Sequence, residues 1–173
     1  MPTNVVSRQL LAALTVIIAS WCVPVASQAV VHGMAIFYEK YPDRAAKAYP
    51  AAQLHCLALN IYHEARGETE AGKFAVAAVT MNRVRSNKFP DDVCSVVWQR
   101  RQFSWTKDGR SDMPREIRAW KHALWIANIV MNFNPDSVVD DATYFHSTAA
   151  NPRWAKVKRF VTRLGRHYFY AAN

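Results

Sequence analysis

One glutamate lies at the edge of an apolar helical pattern, where a side chain can exchange protons with a substrate. Glu64 belongs to the run LNIYHEARGE, residues 59–68, which is broken at Gly67. At about 100° per residue, Glu64 falls beside an apolar stripe formed by Leu54, Leu57, Ala58, Ile61 and Ala65. Burial disfavours a charged carboxylate and raises its pKa, so we expect a half-buried general acid that is protonated near neutral pH. The structural alternative is an ion pair between Glu64 and Arg66 or another cation.

Two other chemistries of this segment are less well supported. A zinc site of the His-Glu-x-x-His type needs a second histidine one helical turn later. Residues 65–67 follow His63-Glu64 without that histidine, so we expect neither a metal nor another cofactor. A thiol nucleophile at Cys56, with His55 or His63 as its base, is the second rival. Adjacent residues on a helix face different ways, which places His55 poorly for that role.

Several short motifs follow Glu64 in a fixed order. They are EARGE (64–68), AVAAVTMNRV (75–84), FP (89–90), CSVV (94–97) and QFS (102–104). Each motif alone is weak, but in combination they resemble the SleB-type cell wall hydrolases, the family of spore-cortex-lytic enzymes and their relatives. The resemblance runs from about Leu54 to Trp105 and resumes more weakly at Tyr144 and from Trp154 to Tyr170.

The resemblance implies a fold and an activity. The fold would be a lysozyme-like, mainly helical single domain with a small β element, in the α+β class. The activity would be cleavage of peptidoglycan glycan strands by one catalytic glutamate, a role that falls on Glu64. The family points to lytic transglycosylation. A hydrolytic muramidase would need a second carboxylate, for which Glu68 is the candidate, although Gly67 makes a continuous helix between the two doubtful.

The candidate substrate-binding residues are aromatic and amide side chains outside the helix cores. Flat rings suit the apolar faces of sugars, and amides suit their hydroxyl groups. The first group is expected in an exposed basic loop and consists of Gln102, Phe103, Ser104 and Trp105. The second group consists of Tyr144, His146 and Trp154. For each of these side chains the alternative is an aromatic ring that closes the core beneath a loop.

Helices and a hairpin are expected around these candidates. Apolar residues predict a helix from Thr69 or Glu70 to about Ser86 that is buried on most sides. A second helix is predicted to begin near Asp112-Met113-Pro114, with the aspartate as cap. Residues 144–146 are predicted to be extended. The last segment fits either a helix or alternating strands, and the family resemblance favours a hairpin turning at Gly165.

The N-terminus has the features of an export segment. Arg8 precedes an uncharged stretch, Gln9 to Val31, which contains the small-x-small site Ser27-Gln28-Ala29. A cleaved signal peptide fits this pattern, and about 20 apolar residues also suffice for a retained membrane anchor. We therefore predict an export segment at 1–31, a linker at 32–49 and a catalytic domain at 50–173, exported to the periplasm or cell wall. Anchoring by residues 9–31 would be the protein's only membrane contact.

The cysteine count fits an exported protein. Cys22 lies in the export segment, which leaves Cys56 and Cys94 as a pair in an oxidising compartment. Disulfides form and persist in such compartments. We therefore predict a disulfide between Cys56 and Cys94.

The charge of the chain indicates a polyanionic partner. It carries 22 lysine and arginine residues against 13 acidic ones, a formal net charge of +9. Peptidoglycan and nucleic acid are both polyanions, and residues 153–166 interleave cations with aromatic rings as nucleic-acid-binding modules do. A membrane-disrupting protein could use the same segment. The export signal disfavours nucleic acid, so we expect a monomer that acts on peptidoglycan glycan strands.

Residues 1–35, fused to a reporter that is active only outside the cytoplasm, should carry that reporter across the membrane. The reason is the order of a cation followed by a long apolar stretch. Reporter activity in intact cells measures this. A reporter that stays cytoplasmic would contradict both the signal peptide and the anchor.

Overall fold

The computed structural model describes residues 49–133 and 138–173. The predicted export segment, Cys22 and all but the last residue of the predicted linker lie outside these ranges. Within them the chain forms helices α1 (Ala51–Ala65), α2 (Glu70–Arg85), α3 (Val93–Val97) and α4 (Ile117–Phe133), followed by strands β1 (Tyr144–Ser147), β2 (Arg159–Leu164) and β3 (His167–Ala171). Short 3-10 helices span Ser104–Lys107 and Arg153–Val157. The predicted mainly helical α+β fold is confirmed.

Helix α1 lies at the centre of the helical core and packs against α2, α3 and α4. Its predicted stripe is confirmed, since Leu57, Ala58 and Ile61 are completely buried. Helix α2 begins where the sequence predicts, because the Thr69 hydroxyl accepts a hydrogen bond from the Gly72 N–H at 3.2 Å. Its buried residues surround most of the helix axis, as expected for a central helix.

The predicted start of α4 near Asp112 is wrong, because the helix begins at Ile117. The preceding segment is instead bound to α1. The Tyr62 hydroxyl accepts hydrogen bonds from the N–H groups of Arg115 and Glu116, both at 3.1 Å. These contacts hold the backbone outside the helix, so tertiary bonds override the local capping pattern.

The three strands form an antiparallel sheet in the order β1-β3-β2. The predicted extended segment is β1, which pairs Phe145 with Phe169 of β3. The predicted hairpin is formed by β2 and β3 and turns at Gly165, whose φ of 57° lies in the left-handed region. Phe169 is completely buried and belongs to a small cluster with Ala75 and Val79 of α2. This cluster fixes the sheet on the helices.

Glu68 binds the hairpin turn to the end of α1. Its Oε2 accepts a hydrogen bond from the Arg166 N–H at 2.9 Å, and its Oε1 accepts one from Arg166 Nε at 2.8 Å. The Glu68 side chain is only 5% exposed. A Cβ atom at position 165 would clash with Glu68 Oε2, so the turn needs glycine both for its backbone angle and for this contact.

The predicted disulfide is present and joins α1 to α3. Cys56 and Cys94 are bonded, with Cα atoms 5.2 Å apart. The same junction carries polar contacts, because Gln53 Oε1 accepts a hydrogen bond from the Cys94 N–H at 3.0 Å. A sulfur in this bond cannot act as a nucleophile, which removes the support for the thiol mechanism.

In the ranges described, no helix has the length and apolar character needed to cross a membrane.

Replacing both Cys56 and Cys94 with alanine should lower the free energy of unfolding by about 3 to 4 kcal/mol, because the bond closes a loop between residues 38 positions apart. Denaturant unfolding of the oxidised, reduced and alanine-substituted proteins measures the difference. Reductant should not affect the double variant. Active protein can also be denatured without a reductant and treated with a thiol-labelling reagent. Labelling of both Cys56 and Cys94 would contradict the disulfide.

Glu68→Gln should lower the free energy of unfolding by about 1 to 3 kcal/mol near neutral pH, because the amide keeps only one acceptor and loses the charge. Burial disfavours the charged carboxylate, but the Arg166 hydrogen bonds and the charges of His167 and Arg166 hold the pKa of Glu68 below its ordinary value. The stabilisation is therefore present at neutral pH and disappears as the pH falls through the lowered pKa. Urea unfolding at several pH values checks this.

The matched control for this change is Glu70→Gln. Glu70 is exposed in the first turn of α2. Its replacement should lower the free energy of unfolding by less than about 1 kcal/mol, because only the interaction with the helix dipole is lost. Equal losses for the two variants at neutral pH, or a Glu68→Gln loss that is unchanged at low pH, would contradict the role given to the Glu68–Arg166 contact.

Candidate active site

Glu64 lies in the last turn of α1 and lines a groove of about 460 Å³. Helix α1 supplies Glu64, α2 supplies one arginine, and the segment around the first 3-10 helix and two strands of the sheet supply the remaining walls. The groove is lined by Glu64, Arg83, Arg101, Gln102, Phe103, Ser104, Lys107, Phe145, His146, Ser147 and His167. The site therefore combines residues from α1 with residues about 100 positions later in the chain.

The environment of Glu64 suits a proton donor. Burial raises the pKa of Glu64 to about 7, although the positive charge of Arg83 acts in the opposite direction. Across the described ranges, no residue forms a hydrogen bond or ion pair with its carboxylate. Arg66 is bound elsewhere, to Glu116 at 2.9 Å, so the alternative ion pair is absent. The predicted half-burial of Glu64 is confirmed, and the direction of its pKa shift agrees with the prediction.

Glu68 does not join Glu64 in the groove. Its carboxylate is engaged by Arg166, and its pKa is below the ordinary value, which keeps it charged. Of the residues that the structure describes, Glu64 is the only carboxylate lining this groove. The two glutamates, four positions apart, thus have different environments.

The first group of predicted binding residues is divided by the structure. Gln102, Phe103 and Ser104 line the groove with Glu64, whereas Trp105 does not. The predicted exposed loop is wrong for Phe103 and Trp105, which are 3% and 7% exposed. Trp105 stacks on His63 with ring centroids 4.4 Å apart, and its Nε1 donates to Asn60 Oδ1 at 3.3 Å. Both partners belong to α1, so the ring and the N–H group of Trp105 are bound to that helix.

The second group lies on and beside the sheet. Tyr144 and His146 are on β1, and each contacts Trp154, with ring centroids 5.6 Å and 5.5 Å apart. Only His146 of the three lines the groove. Its Nε2 lies 3.2 Å from the Tyr170 hydroxyl, so β3 supports its position. Tyr144 and Trp154 form an aromatic cluster adjacent to the groove.

Sequence reasoning did not select six of the lining residues as site residues: Arg83, Arg101, Lys107, Phe145, Ser147 and His167. Arg83 and His167 are the two buried ionisable side chains among them. Arg83 is 4% exposed, and its Nε donates to the Thr143 carbonyl at 2.8 Å. An arginine in the mostly apolar pattern of α2 is a visible signal, which is compatible with internal hydrogen bonds or with a side chain that faces the cleft, and the structural role is the safer interpretation. His167 is 7% exposed, and burial lowers its pKa despite the opposing charge of Glu68. Its place beside Glu64 depends on hairpin docking, for which no local signal exists.

Comparison with known proteins agrees with this geometry. The sequence profile of the family described as Cell Wall Hydrolase matches residues 67–170. A spore cortex-lytic enzyme of Bacillus cereus is 30% identical over 121 residues, which cover 70% of this chain and 45% of that protein. The corresponding enzyme of Halalkalibacterium halodurans is 31% identical over 70% of this chain and 35% of its own length. The chain thus spans less than half of these relatives.

Solved structures show the same fold. The catalytic domain of the germination-specific lytic transglycosylase SleB from Bacillus anthracis is 30% identical, with a TM-score of 0.59, and the match covers 72% of this chain and 98% of that one. The catalytic domain of the Bacillus cereus SleB protein is 28% identical, with a TM-score of 0.59 over 73% of this chain and 95% of that one. The profile match extends over more than half of the 173 residues, and the fold agrees with it. This chain therefore belongs to the Cell Wall Hydrolase family.

Proposed function

We propose that this protein is a lytic transglycosylase that cleaves peptidoglycan glycan strands with Glu64 as its single acid and base. The observation that carries this proposal is a largely buried carboxyl group that lines an open groove and has no hydrogen-bonding partner among the described residues. Burial raises its pKa to about 7. General acid–base groups work best when their pKa lies near the operating pH. The names of the similar proteins, spore cortex-lytic enzyme and lytic transglycosylase, support the same reaction.

The proposed reaction has two proton transfers. Protonated Glu64 donates its proton to the glycosidic oxygen as the bond between that oxygen and C1 of the muramic acid breaks. The resulting carboxylate then accepts the proton of the muramic acid's own 6-hydroxyl group while O6 bonds to C1. The products are a 1,6-anhydro sugar end and a free hydroxyl on the other fragment, and Glu64 is protonated again. A second carboxylate is not required.

Hydrolysis by a muramidase is the second candidate. A glycosidase of the usual kind uses two carboxylates at a controlled separation. The engagement of Glu68 by Arg166 argues against that use of Glu68, and Glu64 is the only carboxylate at the groove in the part of the chain described. Both observations favour transglycosylation over a two-carboxylate hydrolysis.

The compartment follows from the substrate. Peptidoglycan lies outside the cytoplasm, so we propose that residues 1–31 export the protein to the periplasm or cell wall, either as a cleaved signal or as an anchor. The net charge of +9 suits a wall that carries carboxylate and phosphate groups. We also propose that the protein acts as a monomer.

Mass spectrometry of the fragments released from purified peptidoglycan separates the two reactions. Transglycosylation gives 1,6-anhydro ends, whereas hydrolysis gives reducing ends that are heavier by one water. Anhydro products are expected. Reducing ends as the sole products would establish the muramidase reaction instead.

Glu64→Gln should abolish glycan cleavage, with a loss of at least about 10²- to 10⁴-fold, and should leave folding and peptidoglycan binding nearly unchanged. The amide has nearly the same size but cannot donate and recover the proton. Release of soluble fragments from peptidoglycan measures the rate, with Glu70→Gln as the matched control. For the wild type, kcat/KM should fall as the pH rises above about 7, because the protonated form starts the reaction. Cleavage at the wild-type rate by Glu64→Gln would remove the assignment.

A further inference from the structure

Arg83 is a buried cation that helix packing alone does not explain. It is 4% exposed on helix α2, and its guanidinium carbon lies 5.4 Å and 5.2 Å from the ring centroids of Phe89 and Phe103. Burial lowers the pKa of Arg83 to about 10, so it still carries its charge at neutral pH. Moving a guanidinium out of water costs free energy unless its donors find acceptors.

Most of those donors lack an acceptor in the part of the chain that the structure describes. A guanidinium has five N–H groups, and within the ranges described only Nε–H donates a hydrogen bond, to the Thr143 carbonyl at 2.8 Å. Nη1 is enclosed and has no partner there, so Nη2 is the nitrogen that remains to meet a ligand in the groove. The side chain nevertheless lines the groove together with Glu64. A buried cation with spare donors at the edge of an open groove has the properties of a ligand-binding group.

We propose that Arg83 binds the acetamido carbonyl oxygen of the amino sugar whose glycosidic bond Glu64 cleaves. This assignment rests on the proposed function and specifies which substrate group the site recognises. A guanidinium only donates hydrogen bonds, so it matches a carbonyl oxygen, which only accepts them, better than a sugar hydroxyl, which does both. Phe103 also lines the groove, and the small part of its ring that is exposed there is apolar, like the acetamido methyl group.

The charge of Arg83 has a second consequence for the same reaction. Its attraction lowers the pKa of Glu64 and so opposes the effect of burial. A neutral ligand oxygen leaves the charge of Arg83, and so its effect on the pKa of Glu64, unchanged. A carboxylate bound to Arg83 would neutralise that charge. The acetamido group is therefore a better partner than the carboxylates of the stem peptides, which can be bound by the exposed cations Arg101 and Lys107 at the groove.

The first test compares native peptidoglycan glycan fragments with the same fragments after chemical removal of the N-acetyl groups. The ratio of kcat/KM values for the two substrates should be large for the wild type and should fall by about 10- to 100-fold in Arg83→Lys and Arg83→Met, as for the loss of a hydrogen bond from a charged donor. The same comparison of binding constants in the Glu64→Gln background gives a measurement that is independent of turnover. Arg85→Met removes one charge from the same helix at an exposed position and should keep the wild-type ratio.

The second test separates the two consequences of Arg83 by pH. Arg83→Lys keeps the positive charge. It should therefore lose the preference for N-acetylated fragments, while its kcat/KM should still decrease above about pH 7. Arg83→Met removes the attraction that lowers the pKa of Glu64, so the decrease of kcat/KM should occur at a higher pH. A purely structural defect that admits water to Glu64 would move it to lower pH. Where Arg83→Met does not fold, judged by thermal unfolding, Arg83→Lys carries the test.

The outcomes distinguish this proposal from the function on which it rests. If Glu64→Gln cleaves like the wild type, the proposed function fails. If Glu64→Gln is inactive but both Arg83 variants keep the wild-type preference for N-acetylated fragments, as Arg85→Met should, only the assignment of Arg83 is overturned.

Discussion

The contact between Glu68 and Arg166 fixes the hairpin turn against the end of α1, while the cluster around Phe169 packs the same sheet on α2. Residue 68 lies just after α1 and residue 166 lies in the turn before β3, so one carboxylate joins the two halves of the fold. Through β3 the contact also positions β1, the strand that carries His146. A residue that does not line the groove thus contributes to the position of the walls opposite the helices.

The two glutamates illustrate how local surroundings assign chemical roles. Glu64 is buried without a hydrogen-bonding partner in the described chain, so its proton is held up to about pH 7. Glu68 accepts two hydrogen bonds from Arg166, so it stays charged. A pattern search on the sequence treats both as acidic residues in EARGE. Their difference arises from the hairpin, which supplies cationic partners to one carboxylate and walls to the other.

Local patterns predicted the elements whose causes are local. The apolar periodicity of α1 placed Glu64 correctly, and Thr69 marked the beginning of α2. The start of α4 was misplaced because the hydroxyl of Tyr62, more than 50 residues earlier, binds the backbone where Asp112 and Pro114 suggested a helix. Trp105 was expected in solvent because its loop is basic, but a single buried acceptor on Asn60 and a stacking partner at His63 hold it inside. Such partners cannot be read from neighbouring residues.

The wide sequence separation of Glu68 and Arg166 also has a kinetic meaning. The contact brings together residues 98 positions apart, and closing so long a loop is slow relative to forming the helices. The groove is complete only when these distant segments have met, because β1 and β3 supply Phe145, His146, Ser147 and His167 to its walls. Without the docked hairpin, Glu64 would be more hydrated, and hydration favours the charged form of a carboxyl group. The proton donor proposed at Glu64 therefore depends on long-range folding as well as on its own helix.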